Sequence, residues 1–204
     1  MTITDKTIPV NNYNRPGVKQ VPKRICVHYT GCAGSGAAAL AKYFENVAKG
    51  VFKDNSSAWT SSQYVVGMLG EVVRIIPDKE IAYGASGKNQ DVIHIEVCHA
   101  DAGGEFSEAA VKALGELVRS LMSKYGIPAE RVVRHYDLTG KHCPLYYVDS
   151  KRWAALHKQI TAAPRKLYRV QVGAFSDPKN AENYAAKIRK KGFNAFIVEE
   201  EIYG

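Results

Sequence analysis

Arg24-Ile25-Cys26-Val27-His28-Tyr29 is the stretch whose reading decides the fold. Its alternation puts Ile25, Val27 and Tyr29 on one face of an extended segment, with Cys26 and His28 on the other. Thr30-Gly31 ends the run. Asp91 to Cys98 repeats the pattern, with Ile93, Ile95 and Val97 on one face and His94, Glu96 and Cys98 opposite. Each strand therefore offers an apolar face to a core and a second face rich in polar and titratable groups.

Outward from these two strands, the chain alternates strand and helix signals. Ala37 to Lys49 has helical spacing through Leu40, Phe44 and Val47 and stops at Gly50. Gln63 to Leu69 and Glu71 to Ile76 read as short strands joined tightly around Gly70, a hairpin. Ser107 is a fitting N-cap for an amphipathic helix through Val111, Leu114, Leu117, Val118, Leu121 and Met122, ended by Gly126 and Pro128. Arg131 to His135 is a last strand, the loop Tyr136 to Tyr147 follows, and a helix from Asp149 to Thr161 closes the unit. Residues 1–22 are polar and read as an irregular lead-in. Strands interleaved with helices predict an α/β fold, a central mixed β-sheet flanked by helices.

Ala162-Ala163-Pro164-Arg165 marks a boundary, dividing residues 1–162 from 163–204. The second piece reads strand (Tyr168 to Val172), helix (Asn180 to Lys191) and strand (Phe193 to Val198), a single small βαβ unit. Such a unit is too small to bury a stable core alone and calls for a docking partner or a second copy.

The chain has 204 residues, 46% hydrophobic and 24% charged, enough for a real core. Its formal charge of +8 draws it towards polyanions, whether nucleic acid, anionic lipid or polymers bearing phosphate and carboxylate, unless it merely makes a soluble basic surface. The positives are scattered and not interleaved with aromatics, so nucleic acid is not expected as a partner. No apolar run approaches the roughly 20 residues that a membrane span needs. Met1 to Val10 has early charges and no apolar stretch, so the expectation is synthesis in the cytoplasm without a signal peptide. Cys26, Cys32, Cys98 and Cys143 form no CxxC pair, which fits a reducing compartment. For Cys26, Cys32 and Cys98 the default role is packing.

The chemistry concentrates in His135-Tyr136-Asp137-Leu138-Thr139-Gly140-Lys141-His142-Cys143-Pro144. A histidine and a cysteine across a glycine-containing loop can converge on one point, and the strand-end His28 can complete a tripod. Two imidazoles and a thiolate are good zinc donors, and three protein ligands leave a fourth position for water. His142 could replace His135 on spacing, although it directly precedes Cys143. A lone strand-end histidine such as His28 is more often structural. Activated water needs a base, and Glu96, a carboxylate within an apolar strand, fits that role. Lys141, two residues before Cys143, can steady an oxyanion; standing alone it would read as an exposed loop lysine.

Ile25-Cys26-Val27-His28-Tyr29-Thr30-Gly31, Ser62 to Gly67, Ile95-Glu96-Val97 and the block from His135 to Pro144 stand together in an order that resembles the type-2 N-acetylmuramoyl-L-alanine amidases, the zinc amidase family of phage lysozyme-like amidases and peptidoglycan-recognition proteins. The resemblance covers residues 8–162. It implies zinc on His28, His135 and Cys143, catalytic assistance from Glu96 and Lys141, and hydrolysis of the amide between N-acetylmuramic acid and L-alanine in peptidoglycan. A phage or prophage endolysin or an autolysin is the expected setting, acting on the wall after release or pore-assisted export. Many members carry a histidine where this chain has Gln63, to which no role is given. A peptidoglycan-binding protein without activity and a muropeptide-recycling amidase are the alternatives; the retained Cys143 argues against the first. The C-terminal piece, with Tyr168-Arg169-Val170-Gln171 and Lys191-Gly192-Phe193, resembles half of a SPOR domain, a module that binds glycan strands freed of stem peptides. Two chains pairing these halves into one sheet, a homodimer, is the matching expectation.

Overall fold

The computed structural model describes residues 2–52, 59–163 and 170–200. Two compact units divide the chain, Met1–Ala163 and Pro164–Gly204. The first is built on a six-stranded sheet. Its strands are β1 (Ile3–Asp5), β2 (Arg24–Tyr29), β3 (Tyr64–Val66), β4 (Val72–Arg74), β5 (Val92–Val97) and β6 (Val132–Arg134), in the spatial order β1-β4-β3-β5-β2-β6. β2 is an interior strand, parallel to β5 on one side and to β6 on the other. β3 runs parallel to β5 but antiparallel to β4, the hairpin read from Gly70. The mixed α/β sheet is thus as expected.

The helices of this unit are α1 (Ala37–Ala48), α2 (Glu108–Tyr125), α3 (His135–Thr139) and α4 (Ser150–Thr161). Ser107 caps α2, its side chain accepting from the Ala110 amide, and Gly126 at φ 65° ends it in the left-handed conformation that glycine adopts without strain. Asp149 caps α4 through the amides of Lys151 and Arg152.

One sheet face packs Ile25, Val27, Ile93, Ile95 and Val97 against Leu114, Leu117 and Leu121 of α2 and Ile160 of α4. Each such side chain, fully buried, contributes about 1.5–3 kcal/mol. On the opposite face α1 sends Ala37 and Phe44 over Val65, Val73 and Ile75. There the polar side chains of β2 and β5, rather than another apolar layer, occupy the middle of the sheet.

Three features depart from the sequence reading. Where His135 was expected to end a strand and open a loop, the chain instead turns into the short helix α3, its first turn closed by Asp137 accepting from the Arg134 amide. The lead-in is not wholly irregular, because Ile3–Asp5 adds an edge strand parallel to β4. In the C-terminal unit the helix forms, as α5 (Pro178–Lys190), but residues 170–172 and 193–198 carry no strand, and Tyr168 and Arg169 lie outside the described residues. Two strands without neighbours leave both sheet faces and both edges open, too little burial to hold the ladder.

Candidate active site

Three parallel strands deliver the site at their carboxyl ends, where ligands of open α/β sheets bind. His28 is the penultimate residue of β2 and stands in register with Glu96 of β5. β6 hands over directly to α3, whose first residue is His135. Gly140 at φ 77° ends α3, and the chain returns so that the Cys143 carbonyl accepts from the Tyr136 amide at 2.8 Å.

Arg134 braces this return. Its guanidinium holds Asp137 at 2.6 Å and donates to the carbonyls of Tyr147 and Val148 at 2.8 and 2.9 Å. Asp137 also accepts from the Arg134 amide, closing the first turn of α3. One arginine therefore ties the segment bearing His135 to the segment that follows Cys143.

The ligating atoms of His28, His135 and Cys143 lie within 4.8 Å of one another, and all three residues are buried. The Cys143 thiol is 3.7 Å from His28 Nδ1, and the His28 and His135 rings meet edge to face at 4.6 Å. His135 Nδ1 is buried without a hydrogen-bond partner. A buried polar atom of this kind needs a reason, and a metal ion among two imidazoles and a thiol supplies one. The residues fit zinc.

The electrostatics agree. Burial, reinforced by the charges of His94, His135 and Lys141, drives the His28 pKa well below 6.5. Burial and Lys141 bring His135 down to about 4. Both rings are therefore neutral, the state in which imidazole binds metal. Burial, with Glu96 nearby, pushes the Cys143 thiol up to about 12, so its proton leaves only when a cation arrives.

Glu96 is partly buried, and its Oε2 has no hydrogen-bond partner. Burial pushes its pKa up to about 8, against a weaker opposing pull from Lys141. Lys141 is exposed on the loop, and its charge acts on His28, Glu96, His135 and Cys143 alike.

His142 is exposed, its ring 6.0 Å from that of Tyr136 and outside the tripod, so His135 rather than His142 joins His28. Cys26 and Cys98 are buried as expected, whereas Cys32 is exposed and does not pack: it sits in the turn after Tyr29, beyond the end of the sheet. Gln63 is structural, its amide donating to the Glu80 carbonyl at 2.8 Å and accepting from the His94 amide at 2.7 Å. His94 too had no role in the sequence reading. It lies in register with Cys26 and hydrogen-bonds to His28. Its place on the same strand face as Glu96 was the available signal.

A mixed α/β domain with a buried His-His-Cys group at the carboxyl ends of neighbouring parallel strands is what fold and site define. The chain belongs to the N-acetylmuramoyl-L-alanine amidase family, whose profile matches residues 18–145. Residues 164–203 match the profile of the SPOR domain. A Bacillus licheniformis protein named "Probable N-acetylmuramoyl-L-alanine amidase" is 29% identical over 97% of this chain and 57% of its own length. The N-acetylmuramoyl-L-alanine amidase CwlL of Bacillus licheniformis is 33% identical over 75% of this chain and 45% of its own. The chain thus spans about half the length of these relatives. Among solved structures, a mutant endolysin from Bacillus subtilis superposes with a TM-score of 0.65 at 31% identity, covering 78% of this chain and 99% of that one.

Proposed function

We propose that this chain is a zinc-dependent N-acetylmuramoyl-L-alanine amidase that severs the stem peptide from the glycan strand of peptidoglycan, as an endolysin or autolysin. The observation that carries this reading is the buried His28–His135–Cys143 group beside an unpartnered Glu96, in a member of this family. His28, His135 and Cys143 would hold zinc, which supplies Lewis acidity to the lactyl carbonyl and lowers the pKa of water.

The chain's own groups then divide the work. Glu96 takes a proton from the attacking water and returns it to the nitrogen of the departing L-alanine. A carboxyl raised to about 8 without a cation ionises more easily beside one, and keeps enough basicity to accept that proton. Lys141 supplies positive charge to the oxygen that becomes an oxyanion.

Residues 1–162 are assigned to catalysis. Residues 163–204 are assigned to wall binding or dimerisation. Supporting the second assignment, Val170, Val172, Phe193, Phe196 and Val198 all expose apolar side chains. Among the described residues no helix is long and apolar enough to cross a membrane.

Metal analysis joined to mass spectrometry of digested sacculi tests the reading. The expected result is bound zinc together with stem peptides bearing a free L-alanine amino group. Digests without that new terminus would overturn it, and faster cleavage of soluble muropeptides than of sacculi would favour a recycling role.

A further inference from the structure

The ring of His94 is fully buried behind the tripod, on the side of His28 away from Cys143. His28 Nε2 and His94 Nδ1 are 2.9 Å apart, while His28 Nδ1 faces the Cys143 sulfur at 3.7 Å. We propose that His94 is a positioning residue: it accepts a hydrogen bond from His28 Nε2 and so holds Nδ1 of that ring unprotonated and aimed at the metal. The inference rests on the assignment of His28 as a zinc ligand.

The tautomers follow from the geometry. A metal-facing Nδ1 must carry a lone pair, so the proton of a neutral His28 sits on Nε2. That proton points at His94 Nδ1, which must then accept, leaving the His94 proton on Nε2. Partners of this kind fix ring orientation and raise ligand basicity in metal sites generally.

Three further features show that the His94 ring is held for this contact. Gln63 grips its backbone from both sides, donating its own amide to the His94 carbonyl at 3.0 Å and accepting the His94 amide on Oε1 at 2.7 Å. Gly84 lies flat against the ring: a Cβ there would stand 2.4 Å from His94 Cγ and 2.5 Å from Nδ1. His94 Nε2, finally, is buried without a partner. A fold keeps an unpaired buried donor only against a gain elsewhere, and the gain here is the contact made by the other nitrogen of the same ring.

Cys26, His28 and His94 also form a deeper group of mutually close metal-ligating atoms that shares His28 with the tripod. A metal in that deeper set would make His94 a ligand, so the test must separate the two roles.

Zinc affinity of the purified full chain, measured by competition with a chromophoric chelator, does so. His94→Leu removes the acceptor at similar volume and is expected to weaken zinc by about 10–100-fold. His94→Asn places an amide oxygen near the position of Nδ1 and is expected to recover most of that loss. Cys26→Ser is expected to bind zinc as the wild type does, and Cys143→Ser to lose it. Should His94→Leu fail to fold, as judged by circular dichroism, Gly84→Ala displaces the ring from the other side and is expected to weaken zinc likewise. Unchanged affinity in His94→Leu, or in Gly84→Ala where that variant stands in, would overturn the proposal, as would equal losses in the Leu and Asn variants. Loss in Cys26→Ser with retention in Cys143→Ser would place the metal in the deeper set and overturn it too. A wild-type chain that holds no zinc would bring down the zinc reading itself, and this inference with it.

Discussion

Asp78 and Glu96 are carboxylates of one domain that the fold treats in opposite ways. Asp78, 5% exposed, accepts from Tyr64 and Tyr125 and pairs with Lys124 at 2.8 Å, tying the end of α2 to the sheet. Burial by itself would raise its pKa, but the hydrogen bonds from Lys124, Tyr64 and Tyr125 outweigh it and hold the carboxyl below 3.8. Glu96 receives no such company on Oε2, and burial carries it up to about 8. A satisfied buried charge is architecture, while one denied partners beside a group that could hold a metal is what the proposed chemistry calls for.

The comparison can be broken most severely through the metal. Chelation should abolish amide cleavage of sacculi, followed by release of stem-peptide termini, and added zinc should restore it; activity that survives exhaustive chelation would leave Glu96 without its proposed partner. Next in size, Glu96→Ala should lower turnover by about 10²-fold or more, with zinc content unchanged by metal analysis. Near-wild-type turnover in that variant would return Glu96 to the status of Asp78.

Asp78→Asn should do the reverse, leaving turnover per folded molecule intact and costing about 1–3 kcal/mol in urea unfolding. Because the folded pKa of Asp78 is depressed, its contribution is complete above the ordinary carboxylate range. It fades as pH falls through the lower folded value, so the gap between wild type and Asp78→Asn should close in acid.

The last effect has the opposite sign. With its folded pKa raised, metal-free Glu96 favours the native state at low pH and loses that advantage as pH climbs from 4.5 towards about 8. Thermal melts of the metal-free protein should show Glu96→Gln within about 0.5 kcal/mol of wild type in mild acid. The variant should draw ahead as pH rises; parallel pH profiles would show that Glu96 is not held against its charge.

Much of this was legible in the chain. Period-two alternation in β2 and β5 exposed both the core face and the polar face, because side chains of a strand can only alternate. His28, His135 and Cys143 stood out as candidate donors from residue chemistry and from the family resemblance, and Glu96 as a candidate base from the cost of a carboxylate among isoleucine and valine. The choice between His135 and His142 was open on spacing and needed the turn at Gly140 to settle it. The role of His94 was hidden, since it depends on parallel register that sets it opposite Cys26 and within reach of His28. β1 escaped notice because three residues, one of them aliphatic, carry too little pattern.

The sequence by itself determined which residues alternate, which can bind a metal and where the long helices of the first unit start and stop, because these depend on local stereochemistry and side-chain type. Only the tertiary structure decided which polar groups keep a partner. Asp78 finds Lys124 and Tyr125 from the far end of α2, Glu96 is left with Oε2 bare, and His94 comes to rest against His28. Those outcomes depend on contacts between segments far apart in the chain, and no local pattern encodes them.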